Sequence, residues 1–166
     1  MIELRCLQDA HMADVLRIQA ACYREIVPES EASLRAKVLA SPATCFAAEA
    51  AVGMVGYLIS APVRFPDLPA LDAPTFQVAA DADTLYIHDL AIADAGRGTG
   101  AGQAMVRAAF DAARSRGLGK ACLVAIQDSV RYWERFGFQS VATPPGRVAV
   151  KLASYGVAAR LMRAVI

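Results

Sequence analysis

The spacing of hydrophobic residues changes several times along the chain, and each spacing predicts a strand or a helix. Apolar residues alternate with charged ones over residues 2–6, which is the period of a half-buried strand. After Asp9, a residue type suited to a helix N-cap, apolar residues recur every three or four positions up to Cys22. A second helical period begins after Pro28 and ends at Pro42. The pattern therefore predicts one strand followed by two helices.

Strand-like periods dominate the rest of the chain. Strands are predicted over residues 44–50, 52–60, 84–92, 120–126, 138–141 and 158–166, and helices over 103–116, 129–136 and, for one or two turns, 148–153. Residues 61–83 contain four prolines and no period, so they form either a functional loop or a surface insertion. The order β-α-α-β-β-β-α-β-α-β-β, without a repeat or a linker, predicts one mixed α/β domain over residues 1–166.

Composition and charge narrow the class of protein. Hydrophobic residues make up 56% of the 166 residues and charged ones 20%, which excludes a disordered chain. The net charge is +1 and no basic patch is interleaved with aromatic residues, so neither nucleic acid nor an anionic membrane is an expected partner. No apolar run reaches the roughly 18 residues of a membrane helix, and the N-terminus lacks the layout of a signal peptide. A cytoplasmic protein is expected.

Cysteine and histidine usage gives no sign of a metal site. The four cysteines stand far apart, no C-x-x-C pair occurs, and the chain has two histidines. A structural zinc site is therefore not expected. The cysteines are interpreted as free thiols in a reducing compartment.

A glycine-rich loop, G-R-G-T-G-A-G at residues 96–102, joins a predicted strand to a predicted helix. Backbone N–H groups at a helix N-terminus bind phosphate oxygens, and the missing Cβ atoms let the phosphates approach closely. Arg97 adds a donor suited to phosphate. A Walker-type loop is excluded because no Gly-Lys-Ser/Thr follows, and a dinucleotide fingerprint fits poorly because the glycines alternate and the next strand carries no ribose-binding acid.

The sequence R-G-T-G-A-G at residues 97–102 resembles the coenzyme A signature R/Q-x-x-G-x-G/A of the GNAT N-acetyltransferase superfamily. The resemblance continues in the Gly-Phe pair at 137–138, which follows the 129–136 helix, and in Val-Gly-Tyr at 55–57. Asp94 stands where relatives often have proline. The resemblance implies a GNAT-like fold, in which helices flank a mostly antiparallel sheet with one splayed parallel pair, here 84–92 and 120–126.

The same resemblance implies that acetyl-CoA is the acyl donor. Backbone groups of the 84–92 strand would pair with the pantetheine arm, the amides of the glycine loop would hold the pyrophosphate, and the 129–136 helix would flank the thioester. The cofactor-binding residues implied in this way are Leu90, Ala91, Ile92, Arg97, Gly98, Thr99, Gly100, Ala101, Gly102, Gln103, Ser129 and Trp133.

The reaction implied is direct attack of a neutral amine on the thioester in a ternary complex, which requires a base, a stabilised oxyanion and a proton for the departing thiolate. His88 and Asp89 are the candidate catalytic residues for proton removal. The alternative interpretation of His88 is a hydrogen-bonded histidine within the sheet. Strand alternation places the two on opposite faces unless a bulge intervenes. At most one is therefore expected to face the substrate.

The general acid stays open in the sequence. Trp133 stands where many relatives carry a tyrosine, and an indole does not serve as a proton donor here. Tyr132 should point about 100° away around the helix, which favours a core role. Tyr155 reaches the site only if the segment before the last strand folds back, and water is a further proton source.

Acidic residues near the first two helices suggest how an acceptor amine is bound. Tyr23, Glu25, Glu29 and Glu31 could attract a cationic amine, although carboxylates near helix starts are often solvated or capping. The acceptor is predicted to be a primary amine of a small molecule, an amino acid or a peptide, and a homodimer is plausible. The main alternative is a catalytically degenerate module that binds or senses acyl-CoA; a nucleotide-dependent oxidoreductase is supported by glycine content alone.

Overall fold

A mixed sheet runs through the part of the chain that the computed structural model describes, residues 1–24 and 26–166. In those residues seven strands have the spatial order β1-β2-β3-β4-β5-β7-β6. The strands are β1 Glu3–Cys6, β2 Phe46–Ala50, β3 Gly53–Val63, β4 Thr84–Ile92, β5 Lys120–Ala125, β6 Gln139–Ser140 and β7 Arg160–Val165. β4 and β5 are parallel and the other neighbours antiparallel, which confirms the predicted α/β fold class.

Helices cover both faces of this sheet. They are α1 Met12–Cys22, α2 Glu31–Ala40, α3 Ala101–Arg114, α4 Val130–Glu134 and α5 Gly146–Ser154. The apolar stripes of α1 and α2 pack on one face of β2 and β3, and the stripe of α3, which includes Met105 and Phe110, packs on the other. Among the described residues, no helix is both long enough and apolar enough to span a membrane.

Several boundaries differ from the sequence prediction. α3 begins at Ala101 rather than at residue 103, because Gly100 takes the N-cap position with a φ of 84°. The predicted strand over residues 138–141 is shortened to two residues. The turn or two predicted over residues 148–153 is a nine-residue helix, α5, that starts directly after Pro145.

Residues 64–83 have no helix or strand, as predicted, whereas residues 61–63 of the predicted irregular segment extend β3. This segment is nevertheless fixed to its surroundings. Phe65 and Leu68 pack on the cluster that contains Val148 of α5, and Arg147 of α5 forms an ion pair with Asp67 at 2.5 Å. The segment and α5 therefore form one packed layer beside β4.

The parallel pair separates partway along its length. β4 and β5 pair from Leu85 opposite Ala121 to Ile87 opposite Leu123. Beyond that point β4 continues along β3, and β5 continues along β7. The expected splay is thus present, and it opens a gap between the carboxyl-terminal halves of the two strands.

A β-bulge lies at the place where the strands separate. Ile59 of β3 is opposite Asp89 and Ser60 is opposite Ile87, which leaves His88 as the extra residue of β4. Ile87 consequently faces the α3 side, while the side chains of both His88 and Asp89 contact groups on the α1–α2 side. Strand alternation alone places the two side chains on opposite faces. The bulge instead places both on the same face of the sheet.

Candidate active site

A cavity of about 320 Å³ lies in the gap between β4 and β5. Its walls come from the end of α1, residues 26–29, both separating strands, α4 and the end of α5. It is lined by ten of the predicted site residues: Tyr23, Glu29, His88, Asp89, Leu90, Ala91, Ile92, Arg97, Ser129 and Trp133. The topology therefore brings residues from distant parts of the sequence around one space.

The glycine loop leads into α3, and of the predicted loop residues Arg97 lines the cavity, whereas residues 98–103 do not. Gly98 and Gly100 have φ values of 74° and 84°, which side-chain-bearing residues rarely adopt. Thr99 stabilises the loop, since its hydroxyl donates to the Gly96 carbonyl at 2.6 Å and accepts from the Ala101 amide at 3.3 Å. The first amides of α3, including those of Gly102 and Gln103, begin here at the positive end of the helix.

At Gly102 the loop permits a close approach of the Tyr132 side chain that a larger residue would block. A Cβ on Gly102 would lie 2.6 Å from the Tyr132 hydroxyl. The Ala101 side chain is buried in the core, so this residue offers the loop only its backbone. Arg97 is exposed and lies 3.3 Å from the Asp94 carboxylate, which leaves its guanidinium at the surface beside the loop.

His88 is held inside the protein by a single strong contact. Its side chain is 4% exposed, and its Nε2 lies 2.5 Å from Oε2 of Glu29. The Tyr86 ring packs edge-on against the imidazole, with ring centroids 5.7 Å apart. Among the described residues, Nδ1 of His88 is the one buried side-chain nitrogen or oxygen without a hydrogen-bond partner.

Glu29 connects His88 to a buried lysine. Its Oε1 accepts from Lys37 Nζ at 2.7 Å and from the Ser33 hydroxyl at 2.5 Å. Its backbone is fixed by Gln19, whose side-chain amide both donates to the Glu29 carbonyl and accepts from its N–H at 3.0 Å. Burial raises the pKa of Glu29, but the hydrogen bonds and charges of His88 and Lys37 outweigh it and hold the pKa below its ordinary value.

Asp89 lies next to His88 on the same face of the sheet and lines the same cavity. Its two carboxyl oxygens accept from the hydroxyls of Tyr23 and Tyr57, the latter at 2.6 Å. Burial raises the pKa of Asp89, and this effect exceeds the opposing influence of His88 and the two hydroxyls. Tyr23 comes directly after α1, and the single O–H that it donates to Asp89 is shared with the Leu90 carbonyl oxygen 3.1 Å away, so it ties α1 to the cofactor strand.

Of the other acidic residues predicted to attract an amine, Glu31 does not line the cavity. Glu31 is half-exposed in the first turn of α2 and pairs with Arg35. Glu25 lies outside the described residues. The carboxylate of Glu29, which was predicted to bind substrate, has both oxygens engaged by His88, Lys37 and Ser33.

Comparison with models of protein families shows which family the chain belongs to. Residues 12–138 match the model of the acetyltransferase (GNAT) family. This chain belongs to the GNAT acetyltransferase family. The match runs from α1 to Phe138, so it includes the glycine loop, the splayed strands and α4. A search of curated proteins found no match to the sequence.

Solved structures with a similar fold include several GNAT proteins. The loading GNATL domain of CurA from Lyngbya majuscula has a TM-score of 0.80, with 14% identity over 99% of this chain and 97% of that one. The NatC complex bound to Gag peptide and CoA gives 0.73, with 16% identity over 99% and 98%. The GNAT-like decarboxylase GphF in complex with isobutyryl-CoA gives 0.72, with 16% identity over 98% of each chain. At these identities the likeness concerns the fold.

The aromatic residues of this GNAT chain are arranged differently from the sequence expectation. Trp133 is 7% exposed and packs edge-on against Phe138, with centroids 5.7 Å apart, although its ring also borders the cavity. Tyr132 is half-buried and lines the cavity, with its hydroxyl towards Gly102, so it is not confined to the core. Tyr155, directly after α5, also lines the cavity, because the segment before β7 folds back.

Sequence reasoning missed Lys37, Ser33 and Tyr57 as parts of this site. Lys37 had a detectable signal, since it lies on the same helix stripe as Leu34 and Val38, where a charged residue is unusual. Tyr57 alternates with buried residues of β3 and gave no signal that distinguishes it from a core tyrosine.

Proposed function

We propose that this GNAT chain is an N-acetyltransferase, which transfers the acetyl group of acetyl-CoA to a primary amine in a ternary complex. The observation that carries the proposal is His88. Its imidazole is buried beside the cavity, bonded through Nε2 to a carboxylate, and has no partner at Nδ1. An imidazole held in this way is suited to remove a proton from an amine.

The chain has residues that fit acetyl-CoA. Beyond Ile87, β4 has lost its pairing with β5, so an extended pantetheine arm can add along Leu90, Ala91 and Ile92 in the manner of a strand. The carbonyls of Leu90 and Ile92 accept from Tyr23 and Cys22 and each retains a second lone pair. The glycine loop and Arg97 would hold the pyrophosphate, with amides from the set Gly98, Thr99, Gly100, Ala101, Gly102 and Gln103.

The groups beside His88 suit an amine as acceptor. The carboxyl groups of Glu29 and Asp89 lie on the same side of β4 as the His88 imidazole. In the proposed step His88 Nδ1 accepts the proton of the ammonium group, so that the neutral nitrogen can attack the thioester carbonyl that bound acetyl-CoA supplies. The charged Glu29 stabilises the imidazolium formed in this step.

For the general acid we propose Tyr155. Burial raises the pKa of Tyr155, as do the charges of Glu29 and Asp89, so the hydroxyl keeps its proton near neutrality and can donate it to a thiolate. Burial likewise raises the pKa of Tyr132, but its hydroxyl lies towards Gly102, at the end of the cavity assigned to pyrophosphate. Trp133 and Ser129 would flank the acyl end of the cofactor.

Two other functions are less well supported. A degenerate acyl-CoA-binding module has no need of a buried imidazole bonded to an ionised carboxylate. Decarboxylation is the activity named for GphF, which is 16% identical to this chain, so that likeness concerns the fold alone. The geometry therefore favours transfer to an amine.

The experiment that tests the proposal is turnover with a panel of small amines, amino acids and short peptides. We expect thiol release from acetyl-CoA that depends on the amine, together with an acetylated product detected by mass spectrometry. In the Gly100→Val variant the positive φ and the bulky side chain should abolish acetyl-CoA binding while the circular dichroism spectrum stays unchanged. Tight acetyl-CoA binding without turnover of any amine would instead indicate the degenerate module.

A further inference from the structure

The chain Lys37–Glu29–His88 leads from α2 to the cavity through hydrogen bonds between side chains that are almost fully buried. The side chains of the three residues are 1%, 6% and 4% exposed. The Lys37 ammonium donates to Glu29 Oε1 at 2.7 Å, to the Ser33 hydroxyl at 2.8 Å and to the Ser33 carbonyl at 3.3 Å, so each of its three N–H bonds has an acceptor. A lysine and a glutamate this deeply buried are expensive to desolvate.

The carboxylate of Glu29 determines which nitrogen of His88 carries a proton. An ionised carboxylate only accepts hydrogen bonds, and the low pKa of Glu29 keeps it ionised. The nitrogen facing it, Nε2, must therefore be the donor. In neutral His88 the lone pair then belongs to Nδ1, the nitrogen without a partner.

We infer that Glu29 is a positioning residue, which Lys37 and Ser33 hold in place, and which fixes His88 with its proton on Nε2 and its lone pair on Nδ1. The catalytic part of this inference rests on the function proposed above, whereas the protonation of His88 does not. A buried carboxylate serves the catalytic imidazole of serine proteases in the same way. Glu29 thus acts on the reaction through His88 and not by direct contact with the acceptor amine.

The Glu29→Gln substitution tests this role because an amide has one acceptor and one donor end. Lys37 can only donate, so it orients the amide oxygen of the new side chain towards itself and Ser33. The amide NH₂ then faces Nε2 of His88, which has to accept. The proton moves to Nδ1, which then has no free lone pair.

Nitrogen-15 NMR can follow this change directly, since the chain has two histidines. His11 is an internal reference, because its Nδ1 accepts from the Gln8 amide at 2.9 Å and so its proton is on Nε2. At about pH 8, where an ordinary imidazole is neutral, we expect the wild-type spectrum to show His88 protonated on Nε2. In Glu29→Gln the His88 signal should change to the Nδ1-protonated pattern while His11 stays the same.

The matched control is Glu49→Gln, which alters the carboxylate beside the other histidine. Glu49 Oε1 lies 3.7 Å from His11 Nε2, and its side chain is 30% exposed. The control should leave the His88 signals unchanged. In turnover with a competent amine, Glu29→Gln should lower kcat by about 10²–10⁴-fold, as for loss of a general base, with a smaller effect on the KM of the amine.

Two results would overturn the inference. A wild-type His88 protonated on Nδ1 would do so without any variant, and so would an unchanged His88 signal in a folded Glu29→Gln protein, since a purely structural Glu29 leaves the tautomer alone. If the tautomer changes as expected but wild-type protein acetylates no amine, the positioning of His88 stands and the proposed function fails. The two claims are therefore tested separately.

Discussion

At the scale of single residues, this site depends on groups whose ordinary chemistry is altered by burial. His88 is almost fully buried, yet one of its nitrogens has no partner. Glu29 stays ionised because its two oxygens accept hydrogen bonds from Lys37 and His88, while Asp89, between two tyrosine hydroxyls, has its pKa raised by burial. Two carboxyl groups close together are thus set to different protonation behaviour, an arrangement that enzymes use to divide acid and base roles.

The choice of general acid gives a prediction at this scale. We expect Tyr155→Phe to lower kcat by about 10²–10⁴-fold, because the leaving thiolate loses its proton donor. Tyr132→Phe should instead affect mainly the affinity for acetyl-CoA, since its hydroxyl lies beside Gly102. Both variants keep the ring, so packing is little changed. Steady-state kinetics of the two proteins with one amine would reverse the assignment if the Tyr132 variant is the one with the lower kcat.

At the scale of elements, the sequence predicted the parts of the site that are local. The glycine loop was recognisable because its residues are consecutive, and the strand carrying His88 and Asp89 was correctly placed at Thr84–Ile92. The bulge at His88 was not predictable, because it is a mismatch in register between β3 and β4 and neither strand alone reveals it. The bulge places His88 and Asp89 on one face of the sheet, whereas alternation alone predicts opposite faces.

Contacts between distant elements account for the remaining surprises. Glu29 was assigned to acceptor binding because its partner His88 lies 59 positions away, and no sequence period links the two. Tyr155 enters the cavity because α5 packs against residues 64–83, a contact made by side chains in a segment without any period. The assignments of Tyr23, Asp89 and the cofactor-loop residues to specific roles stay predictions.

At the scale of the whole molecule, the buried Glu29 links the stability of the fold to pH. The pKa of Glu29 is lowered in the folded state, so the folded chain binds its proton less readily than the unfolded chain, whose glutamates titrate near about 4.3. The carboxylate therefore stabilises the protein above that pH, and the contribution is lost as the pH falls through the folded-state value. The pKa of Asp89 is raised in the folded state, so ionisation of this residue makes the fold less stable as the pH rises.

This linkage predicts how one variant responds to acid. Near pH 6, Glu29→Gln should be less stable than wild type by about 3–5 kcal/mol, the usual effect of breaking a buried ion pair. The difference should narrow as the pH is lowered towards about 3. Urea unfolding of wild type and Glu29→Gln at several pH values measures this difference. A stability difference for Glu29→Gln that is equally large at all pH values would show that folding does not lower the pKa of Glu29.

The central claim is that this GNAT chain acetylates amines with His88 as the base, and it is tested most directly by comparing its two histidines. We would measure kcat/KM for acetyl transfer to the best amine with His88→Gln and with His11→Gln, whose side chain belongs to no part of the cavity. The account predicts a loss of about 10²–10⁴-fold for His88→Gln and a wild-type rate for His11→Gln. A His88→Gln protein that keeps the wild-type rate would contradict it.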